Sequence, residues 1–255
     1  MSLSSRQKEI LTYLERSNGV LSSAILSHQF SVSVQTIRKD MNDLSDKGMV
    51  RRVHGGICLP SANDNLSFSN RDMLNLSAKQ CIAKQVAKAL PEGTSIFLGI
   101  GTTPKNVAHA LLDHPGLTVV TNNINAALIL SRNPNLSVHL AGGAVRSSDE
   151  DTVGESTTQF YRQFNIKIGI FGVGGLGEHG QLLDFTPDEA NLNRAIIQQS
   201  QQCWLVADTT KLGRYAPVVS GQLSEIKRLF VDEPNSAINQ LCQVHDTELV
   251  ICRGR

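Results

Sequence analysis

Hydrogen-bond donors of the kind that contact nucleic acids are concentrated between positions 33 and 54 of this chain. Gln35 and Arg38 carry an amide and a guanidinium, which can make paired hydrogen bonds to the edge of a base, so we predict that they read bases. The other donors are better suited to phosphate groups, which give affinity and salt dependence rather than sequence choice. These predicted phosphate ligands are Ser33, Thr36, Lys39, Arg51, Arg52 and His54.

Two helices are predicted ahead of this cluster. The first covers Ser5–Arg16, where apolar residues recur on one face between charged ones. The second is short and covers Ser23–Gln29, with Ser22 as its N-cap. The inner side of the second helix is predicted to consist of Ala24, Ile25 and Leu26.

A third helix is predicted to carry most of the donors. It begins with Ser33 as N-cap and runs to about Lys47, after which Gly48 closes it as a C-cap. The donors of this segment, together with Asn42, fall off the apolar stripe of the helix. That stripe recurs at intervals of three and four residues and consists of Val34, Ile37, Met41 and Leu44.

Two short strands are predicted after the third helix. Met49–Val53 and Ile57–Leu59 are joined across His54-Gly55-Gly56, which indicates a small hairpin or wing. Residues 1–59 are therefore predicted to form a winged helix-turn-helix, mostly α. Such a unit could be a scaffold with no nucleic-acid role, but its basic side chains lie on the third helix and the hairpin, which reach DNA in winged helices.

The charge of the chain is divided between its two parts. Residues 1–60 hold eight Lys and Arg against five Asp and Glu, whereas residues 61–255 hold sixteen against eighteen. The basic first part attracts phosphates, and the acidic remainder would be repelled by them. The split favours two domains, of which the first contacts DNA.

The second domain is predicted to be α/β. Residues 60–76 are polar and aperiodic and are assigned to a linker, after which a helix is expected over 78–90. Over residues 77–255, short apolar runs alternate with helical patterns, which is typical of a largely parallel sheet covered on both faces. The runs are 95–100, 117–121, 136–141, 166–173, 203–208, 228–232 and 248–252.

An anion site is predicted where the first of these strands gives way to a helix. The segment Gly101-Thr102-Thr103-Pro104 combines a glycine, two hydroxyls and a proline suited to the first helical position. Because free N–H groups at a helix start bind phosphate, we expect Gly101, Thr102 and Thr103 to contact one. The alternative is an ordinary strand-to-helix turn with a Thr cap.

Later loops of the same kind point to one ligand site. In an open parallel sheet, the loops after the carboxyl ends of the strands converge on one crevice, and ligands bind there. Small or polar loops follow the second, third and fourth predicted strands. The residue preferences of turns alone explain poorly why several such loops occur at one edge. The residues predicted to contact a ligand in these loops are Thr121, Asn122, Gly142, Gly143, Arg146 and Gly174.

Two further candidates have structural explanations that are as good as the functional ones. Glu189 follows Thr186-Pro187-Asp188 at the start of a predicted helix, so it suits a capping box at least as well as a ligand contact. Lys211, after the run 203–208, could close over a phosphate or be an ordinary surface lysine.

No cofactor or metal is expected. GVGGLG at 172–177 fits the dinucleotide fingerprint, but the turn Glu178-His179-Gly180 follows where a helix would have to begin. The five cysteines lack paired spacing and a nearby His, which argues against zinc or a disulfide framework and for a reducing cytoplasm. No apolar stretch reaches the roughly 18 residues of a membrane span, so we expect a soluble, cytoplasmic protein without a membrane partner.

The segment 30–56, FSVSVQTIRKDMNDLSDKGMVRRVHGG, resembles the DNA-binding signature of the DeoR family of bacterial repressors. That signature is a Ser-x-x-Thr-Ile-Arg-(Arg/Lys)-Asp run that ends in His-Gly-Gly, and the resemblance continues through G-T-T, T-N and G-G-x-x-R in the second domain. It implies a sensor domain similar to ribose-5-phosphate isomerase. It also implies a repressor of a carbohydrate or polyol utilisation operon that a phosphorylated sugar or polyol releases from operator DNA.

Two positions depart from the family pattern. Many members carry Asp where this chain has Gly99, so a carboxylate that could bind sugar hydroxyls is missing and the ligand could differ from the better-known ones. In the family's Glu-x-x-x-(Lys/Arg)-Arg-Ala stretch, Asn193 replaces the first basic residue, while Arg194 keeps the second.

Two other functions fit the sequence. One is a sugar-phosphate isomerase or deaminase with an accessory DNA-binding domain, although a capped Glu189 and the missing carboxylate at Gly99 argue against catalysis. The other is an activator. A helix-turn-helix regulator normally needs two recognition helices on a palindromic site, so we predict a homodimer or a higher homo-oligomer.

Overall fold

The computed structural model describes residues 3–16, 20–53, 56–59 and 68–253. The chain divides into two compact units, Met1–Asn75 and Leu76–Arg255. His54, a predicted phosphate ligand, and Gly55 beside it lie outside the described residues, as do residues 60–67 of the predicted linker.

In chain order, the first unit consists of α1 (Ser5–Arg16), β1 (Val20–Ser22), α2 (Ser23–Gln29), α3 (Val34–Asp46), β2 (Arg51–Val53), β3 (Gly56–Cys58) and α4 (Phe68–Met73). The three strands form an antiparallel sheet in the order β1-β3-β2. β2 and β3 are the predicted wing strands, with ends shifted by one or two residues. β1 was not predicted, because three residues are too few to show a strand period.

The bounds of α1 and α2 are as predicted, but the inner side of α2 is not. Ser22 caps α2 by accepting the N–H of Ile25 at 3.2 Å. Leu26 is buried, whereas Ala24 and Ile25 are exposed, so the prediction was wrong for these two residues. Each residue turns about 100° around a helix, so consecutive residues cannot all face the core.

α3 begins and ends as predicted. At its start, Ser33 Oγ accepts the N–H of Thr36 at 3.1 Å. At its end, Gly48 takes a φ of 67°, in the left-handed region that favours glycine. The N–H of Met49 then donates to the carbonyl of Leu44 at 2.9 Å, which closes the helix.

The apolar stripe of α3 is buried except at its first residue. Ile37, Met41 and Leu44 are 0% exposed, whereas Val34 is 37% exposed. Val34 lies one turn before Ile37, at the N-terminal end of the stripe, where the core of this unit does not cover it. The prediction that Val34 packs inward with the other three was therefore wrong.

Part of the predicted linker is helical. α4 lies within residues 60–76, so the prediction of an aperiodic linker is wrong there. Phe68 is buried, Leu74 packs against the core of the first unit, and the N–H of Asn75 donates to a carboxylate oxygen on α1 at 2.8 Å. Tertiary contacts of this kind stabilise helices too short to form alone, and polar composition does not reveal them.

In chain order, the second unit consists of α5 (Leu76–Ala89), β4 (Thr94–Leu98), α6 (Thr102–Ala110), β5 (Leu117–Thr121), α7 (Ile124–Leu130), β6 (Leu136–Leu140), β7 (Ala144–Arg146), β8 (Asp151–Val153), α8 (Glu155–Tyr161), β9 (Ile166–Phe171), β10 (Gly175–Leu176), β11 (Gln181–Asp184), α9 (Pro187–Gln198), β12 (Ser200–Val206), β13 (Val218–Gln222), β14 (Arg228–Val231), α10 (Ser236–Val244) and β15 (Glu248–Ile251). Across the described ranges of both units, no helix is long and apolar enough to cross a membrane.

A seven-stranded sheet forms the centre of the second unit. Its order is β15-β14-β12-β9-β4-β5-β6, and all neighbouring strands are parallel. The seven predicted apolar runs are these seven strands, which confirms the predicted α/β class. Ile96 and Leu98 pack with α5, α6 and α7, whereas Phe97 between them packs with α8, α9 and α10. Helices therefore cover both faces of the sheet.

Two small antiparallel additions to the second unit were not predicted. β7 and β8 form a hairpin, and β10, β11 and β13 form a three-stranded sheet. These strands contain two to five residues, too few for a period to stand out in the sequence. The hairpin matters for the site, because it carries Arg146 on β7 and Asp151 on β8.

Candidate functional site

The predicted base readers lie on an exposed face of α3. Gln35 and Arg38 are exposed, as is Lys39 beside them, while the opposite face of the helix is buried in the core. Arg51 and Arg52 are exposed on β2. The structure therefore brings these five predicted donors to the surface of the third helix and the wing.

The hydroxyls of Ser33 and Thr36 contact each other at the start of α3. Their oxygens are 2.9 Å apart, and Ser33 Oγ also accepts the N–H of Thr36. One of the two hydroxyl protons is used in this contact, so the pair keeps one proton that it can donate to a phosphate. The sequence predicts a phosphate contact for each residue, and the structure shows that their hydroxyls are hydrogen-bonded to each other.

A hydrogen bond that was not predicted joins the wing to α3. Arg52 Nη1 donates to Asn42 Oδ1 at 2.5 Å, and both side chains are exposed. This contact uses one of the five N–H donors of the guanidinium and holds the group against the donor-rich face of α3. The signal in the sequence was that Asn42 lies one turn after Arg38, on the same side of the helix.

A buried carboxylate holds the opposite face of α3 against α1. Asp40 accepts hydrogen bonds from Arg6 Nε at 2.6 Å and from Gln7 Nε2 at 3.2 Å. Asp40 is almost fully buried, where an unpaired charge would be costly. Sequence reasoning missed this role, although an acidic residue three positions after Ile37 falls on the buried side of the helix.

α6 starts without a side-chain cap at the carboxyl end of β4. Its N-cap is Gly101, with a φ of 105°, so no cap side chain occupies the N–H groups of the first turn. Thr102 and Thr103 come next and are buried. Pro104 is the third helical residue, so the prediction that it is the first was wrong, because the helix includes both threonines. Within the first turn, its missing N–H still costs no helical hydrogen bond.

Asn123 connects the loops that follow β4 and β5. Its Nδ2 donates to the carbonyls of Gly99 and Gly101 at 3.4 and 3.3 Å. Its Oδ1 accepts the N–H of Ala126 at 3.1 Å and so caps α7. The sequence prediction named the two residues before Asn123 and missed Asn123 itself. The available signal was an Asn directly before a helical run, where N-caps occur.

Thr121 and Asn122 use their side chains inside the domain. Thr121 Oγ1 donates to the carbonyl of Leu98 at 2.6 Å. Asn122 Nδ2 donates to the carbonyl of Thr152 at 2.7 Å, and Asn122 Oδ1 accepts the hydroxyl of Tyr161 at 2.8 Å. Burial raises the pKa of Tyr161, so its hydroxyl keeps the proton that it donates. Both predicted ligand residues therefore hold β5 to neighbouring elements in this structure.

Carboxylates on the hairpin and on α9 surround Arg146. Its Nε and Nη2 lie 3.0 and 2.6 Å from the two oxygens of Asp151, and its Nη1 lies 2.7 Å from Glu189 Oε1. Asp149 adds a third carboxylate, 3.4 Å from Nε. Burial lowers the pKa of Arg146, but the hydrogen bonds and charges of Asp151 and Glu189 outweigh it and the pKa is raised. The side chain is 19% exposed, so solvent reaches a guanidinium that is already neutralised.

Glu189 combines a cap with its contact to Arg146. Its Oε2 accepts the N–H groups of Phe185 and Thr186 at 2.9 and 3.2 Å, and Thr186 Oγ1 accepts the N–H of Glu189 in return. This is the capping box that the sequence allowed, with Pro187 as the first helical residue. Oε1 remains for Arg146, so the cap and the cluster share one carboxylate.

Asp184 is a buried carboxylate beside this cluster. It accepts the N–H of Gly174 at 3.2 Å and Nδ2 of Asn193 at 2.8 Å. Burial is the main cause that raises the pKa of Asp184 to about 6, and the charge of Glu189 adds to it. Asn193 is a neutral donor at the position where the family pattern has a basic residue. The side chain that α9 places against Asp184 at this position is therefore uncharged.

The remaining predicted ligand residues lie at the same edge of the sheet. Gly142 and Gly143 follow β6, and the carbonyl of Gly142 accepts Thr157 Oγ1 at 2.9 Å. Lys211 is half-buried in a 3-10 turn, Thr209–Lys211, after β12. Because the strands are parallel, the loops after their carboxyl ends stand at one edge. The hydrogen bonds gather the site residues around Asn123 and around Arg146. β8 joins these two groups, because Asn122 and Thr152 bond each other beside Asp151.

Gly99 packs closely against the neighbouring strand. A Cβ atom at this position would lie 2.8 Å from the Cβ of Phe171, which is itself fully buried. An Asp at position 99 would therefore require Phe171 or its strand to move, because the interior is close-packed. The glycine that replaces the family's Asp therefore lies in close contact with Phe171, where a side chain would not fit without a shift.

The glycine-rich segment 172–177 does not open a helix. β10 lies inside it, and a turn and β11 follow before α9 begins at Pro187. The dinucleotide fingerprint needs a helix N-terminus at once, and this segment does not provide one. Among residues whose positions are described, no group of three or more His, Cys, Asp or Glu side chains is placed to hold a metal ion.

A winged helix-turn-helix with exposed donors, combined with an α/β unit whose loops form a polar edge, defines a DNA-binding regulator with a sensor domain. Residues 6–63 match the DeoR-like helix-turn-helix domain, and residues 74–233 match the DeoR C terminal sensor domain. The chain belongs to the DeoR family, which confirms the resemblance seen in the sequence.

Several similar curated proteins are named repressors. The glycerol-3-phosphate regulon repressor of Haemophilus influenzae is 41% identical over 100% of this chain and 99% of that protein. The Escherichia coli protein of the same name is 40% identical over 94% of this chain and 95% of that protein, and the E. coli HTH-type transcriptional repressor CsqR is 34% identical over 94% and 93%. The chain is therefore a DNA-binding transcriptional repressor and not an enzyme.

Solved structures show weaker likenesses. Ribose 5-phosphate isomerase A from Neisseria gonorrhoeae is 17% identical, with a TM-score of 0.39 over 56% of this chain and 54% of that one. The eIF2B delta subunit from Chaetomium thermophilum is 12% identical, with a TM-score of 0.45 over 61% and 55%. Likenesses at these TM-scores do not bear on the activity of this chain.

Proposed function

We propose that this repressor controls a carbohydrate or polyol utilisation operon and leaves its operator when a phosphorylated sugar or polyol binds the sensor domain. The start of α6 is the main support. Gly101 supplies no cap side chain, so the first-turn N–H groups and the positive end of the helix dipole are available to a phosphate. The hydroxyls of Thr102 and Thr103 lie in the same turn. Relatives named glycerol-3-phosphate regulon repressors also point to a phosphorylated polyol.

The second group of contacts suits the rest of such a ligand. Carboxylates accept hydrogen bonds from hydroxyls, and Glu189 and Asp149 lie beside Arg146 with part of their side chains exposed. Asp151 is fully buried and holds Arg146 in place, while the guanidinium side chain itself is 19% exposed and can contact an oxygen of the ligand. We assign Thr121 and Asn122, which are buried, to positioning the loop after β5. Gly142, Gly143 and Gly174 are assigned to lining the site, and Lys211 to closing over the phosphate.

In the DNA-binding domain we assign base contacts to Gln35 and Arg38, which are exposed on α3. Phosphate contacts are assigned to Lys39, to the Ser33–Thr36 pair and to the wing. On the wing, Arg51 and Arg52 are exposed, and His54 is included on sequence grounds alone. The chain acts as a homodimer or a higher homo-oligomer on palindromic operator DNA in the cytoplasm.

A thermal-shift screen of phosphorylated sugars and polyols, with their unphosphorylated parents as controls, tests the effector. A true effector at about 100 times its Kd should raise the Tm by about 5–10 °C. The same compound should then release operator DNA in a fluorescence anisotropy assay. Stabilisation by the parents alone, or stabilisation without release of DNA, would contradict the proposal.

Thr103→Val tests the phosphate position, because valine has nearly the shape of threonine but no hydroxyl. We expect weaker binding of the effector with unchanged binding to operator. Thr118→Val on β5, away from the carboxyl edge, is the matched control and should bind the effector like the parent. Equal effects of the two substitutions would remove Thr103 from the site.

Reporter expression in a strain that lacks the chain tests the sign of regulation. Loss of a repressor should raise expression from the target operon, and loss of an activator should lower it. The comparison matters because one relative, 29% identical, is named an L-fucose operon activator.

A further inference from the structure

Val34 is the exposed apolar residue at the start of α3. It was expected to pack with Ile37, Met41 and Leu44, yet it is 37% exposed while those three are fully buried. Its neighbours on the open side of the helix are Gln35 and, one turn later, Arg38, both of which are exposed. An apolar side chain thus lies among the proposed base readers.

The hydrogen bonds of the same turn give no structural reason for a valine at position 34. Ser33 Oγ and Thr36 Oγ1 contact each other and cap the helix, so the first turn is already complete without Val34. Valine is also a poorer helix former than alanine, because its branched Cβ restricts χ1. The same stiffness holds the two γ-methyl groups in nearly one orientation, which lowers the entropy lost on contact.

We propose that Val34 contacts the 5-methyl group of a thymine in the major groove and adds an apolar base reader to Gln35 and Arg38. The thymine methyl is the apolar group that base edges present in that groove. The inference rests on the proposed function only in that α3 reads the operator. It adds a base preference that neither the amide nor the guanidinium can supply.

The spacing of Val34 and Arg38 on the helix predicts the position of this thymine in the operator. Val34 and Arg38 are four residues apart, about 6 Å along the helix axis. Base pairs rise by about 3.4 Å, so the thymine should lie about two base pairs from the base that Arg38 reads. A two-fold operator should carry this thymine once in each half-site.

The experiment starts with operator selection from a random DNA library by the full chain. Deoxyuridine, which lacks the 5-methyl group, then replaces each thymine of the selected operator in turn. At one thymine of each half-site, the replacement should weaken wild-type binding about fourfold, which corresponds to one methyl group removed from water. Val34→Ala should bind the two DNAs equally. Because Val34 is exposed and alanine favours helix, this variant should fold like the parent.

Ile25→Ala is the matched control, because Ile25 is also exposed, at 48%, but lies on α2. It should keep the full deoxyuridine effect at that thymine. A deoxyuridine effect that persists in Val34→Ala, or no such effect in the wild type, would overturn the contact while leaving operator recognition intact. If no palindromic sequence is enriched at all, the proposed function itself is wrong.

Discussion

Three carboxylates surround the guanidinium of Arg146. A fourth carboxylate, Asp184, has a pKa that is raised mainly by burial and further by the charge of Glu189. Carboxylates accept hydrogen bonds from hydroxyl groups, whereas the uncapped start of α6 offers N–H groups and the positive end of the helix dipole to an anion. We therefore propose that the phosphate of the effector binds at the start of α6 and that its hydroxyl groups lie near Arg146.

Asp184→Asn should remove part of the pH dependence of stability. The pKa of Asp184 is about 6 in the folded chain, raised mainly by burial, against about 3.9 for an unfolded chain. The unfolded state loses its proton first, so this residue makes the wild type less stable as the pH rises through the interval between the two values, by ~1–3 kcal/mol. Urea unfolding should be measured at about pH 4 and about pH 7. The free energy of unfolding of the variant, relative to that of the wild type, should be higher at about pH 7 than at about pH 4.

Leu182→Ala on β11 is the control for this pH series, because it removes a buried apolar side chain and no titrating group. Its loss of unfolding free energy should be similar at both pH values. If the difference between Asp184→Asn and the wild type is also constant, the pKa of Asp184 is not raised.

At the scale of elements, α3 is held from two sides. Asp40 binds α1 on the buried side, and Asn42 binds the wing on the exposed side. The first contact is between elements more than 30 positions apart, and the second is between a helix and the strand that follows it. Together they orient the helix that carries the proposed base readers.

Asp40→Ala should loosen α1 from α3. It leaves buried Gln7 without one of its acceptors and removes the ion pair with Arg6, a loss of ~1–3 kcal/mol. Hydrogen exchange in the full chain should become faster in α1 and α3 and stay unchanged in the sheet of the second unit. Operator affinity should fall without a change in base preference. Asp46→Ala, an exposed substitution at the end of the same helix, should leave the exchange rates as they were.

Asn42→Ala should act on DNA binding through Arg52. If each Arg52 guanidinium contacts one phosphate, Arg52→Gln lowers the slope of log K against log salt concentration by about 0.9 for each copy of the chain that is bound, or about 1.8 for a dimer. Asn42→Ala should then weaken binding in the wild type and have little further effect when Arg52 is already replaced. Its effect should remain additive with Lys39→Gln. Additivity with Arg52→Gln as well would show that Asn42 acts on its own.

At the scale of the whole molecule, operator binding should require at least two copies of the chain. Winged helices of this kind read palindromic sites, whose half-sites lie about 10 base pairs or a multiple apart. Sedimentation at concentrations that saturate the operator should show a dimer or a larger species. Arg38→Ala, which changes an exposed side chain on α3, should keep the same assembly while it loses discrimination between operator and random DNA. A purely monomeric species at those concentrations would contradict this prediction.

Most of the architecture could be predicted, because it depends on local periods. The seven apolar runs all became strands of the parallel sheet, and α1, α2 and α3 have nearly the predicted bounds. The errors fall where a period is too short or ends. β1, the hairpin and α4 were missed, and Val34, Ile25 and Ala24 were placed inside although the core does not reach them.

The sequence by itself determined the fold class, the family and the residue types at the carboxyl edge of the sheet. It could not determine the partners of those residues. Arg146 contacts Glu189 across 43 positions, and Asp40 contacts Arg6 across 34. Helix and strand preferences are set by neighbours along the chain, whereas these contacts depend on how distant elements pack. Only the tertiary structure decided that Glu189 serves both a cap and Arg146, and that Val34 remains on the surface beside the proposed base readers.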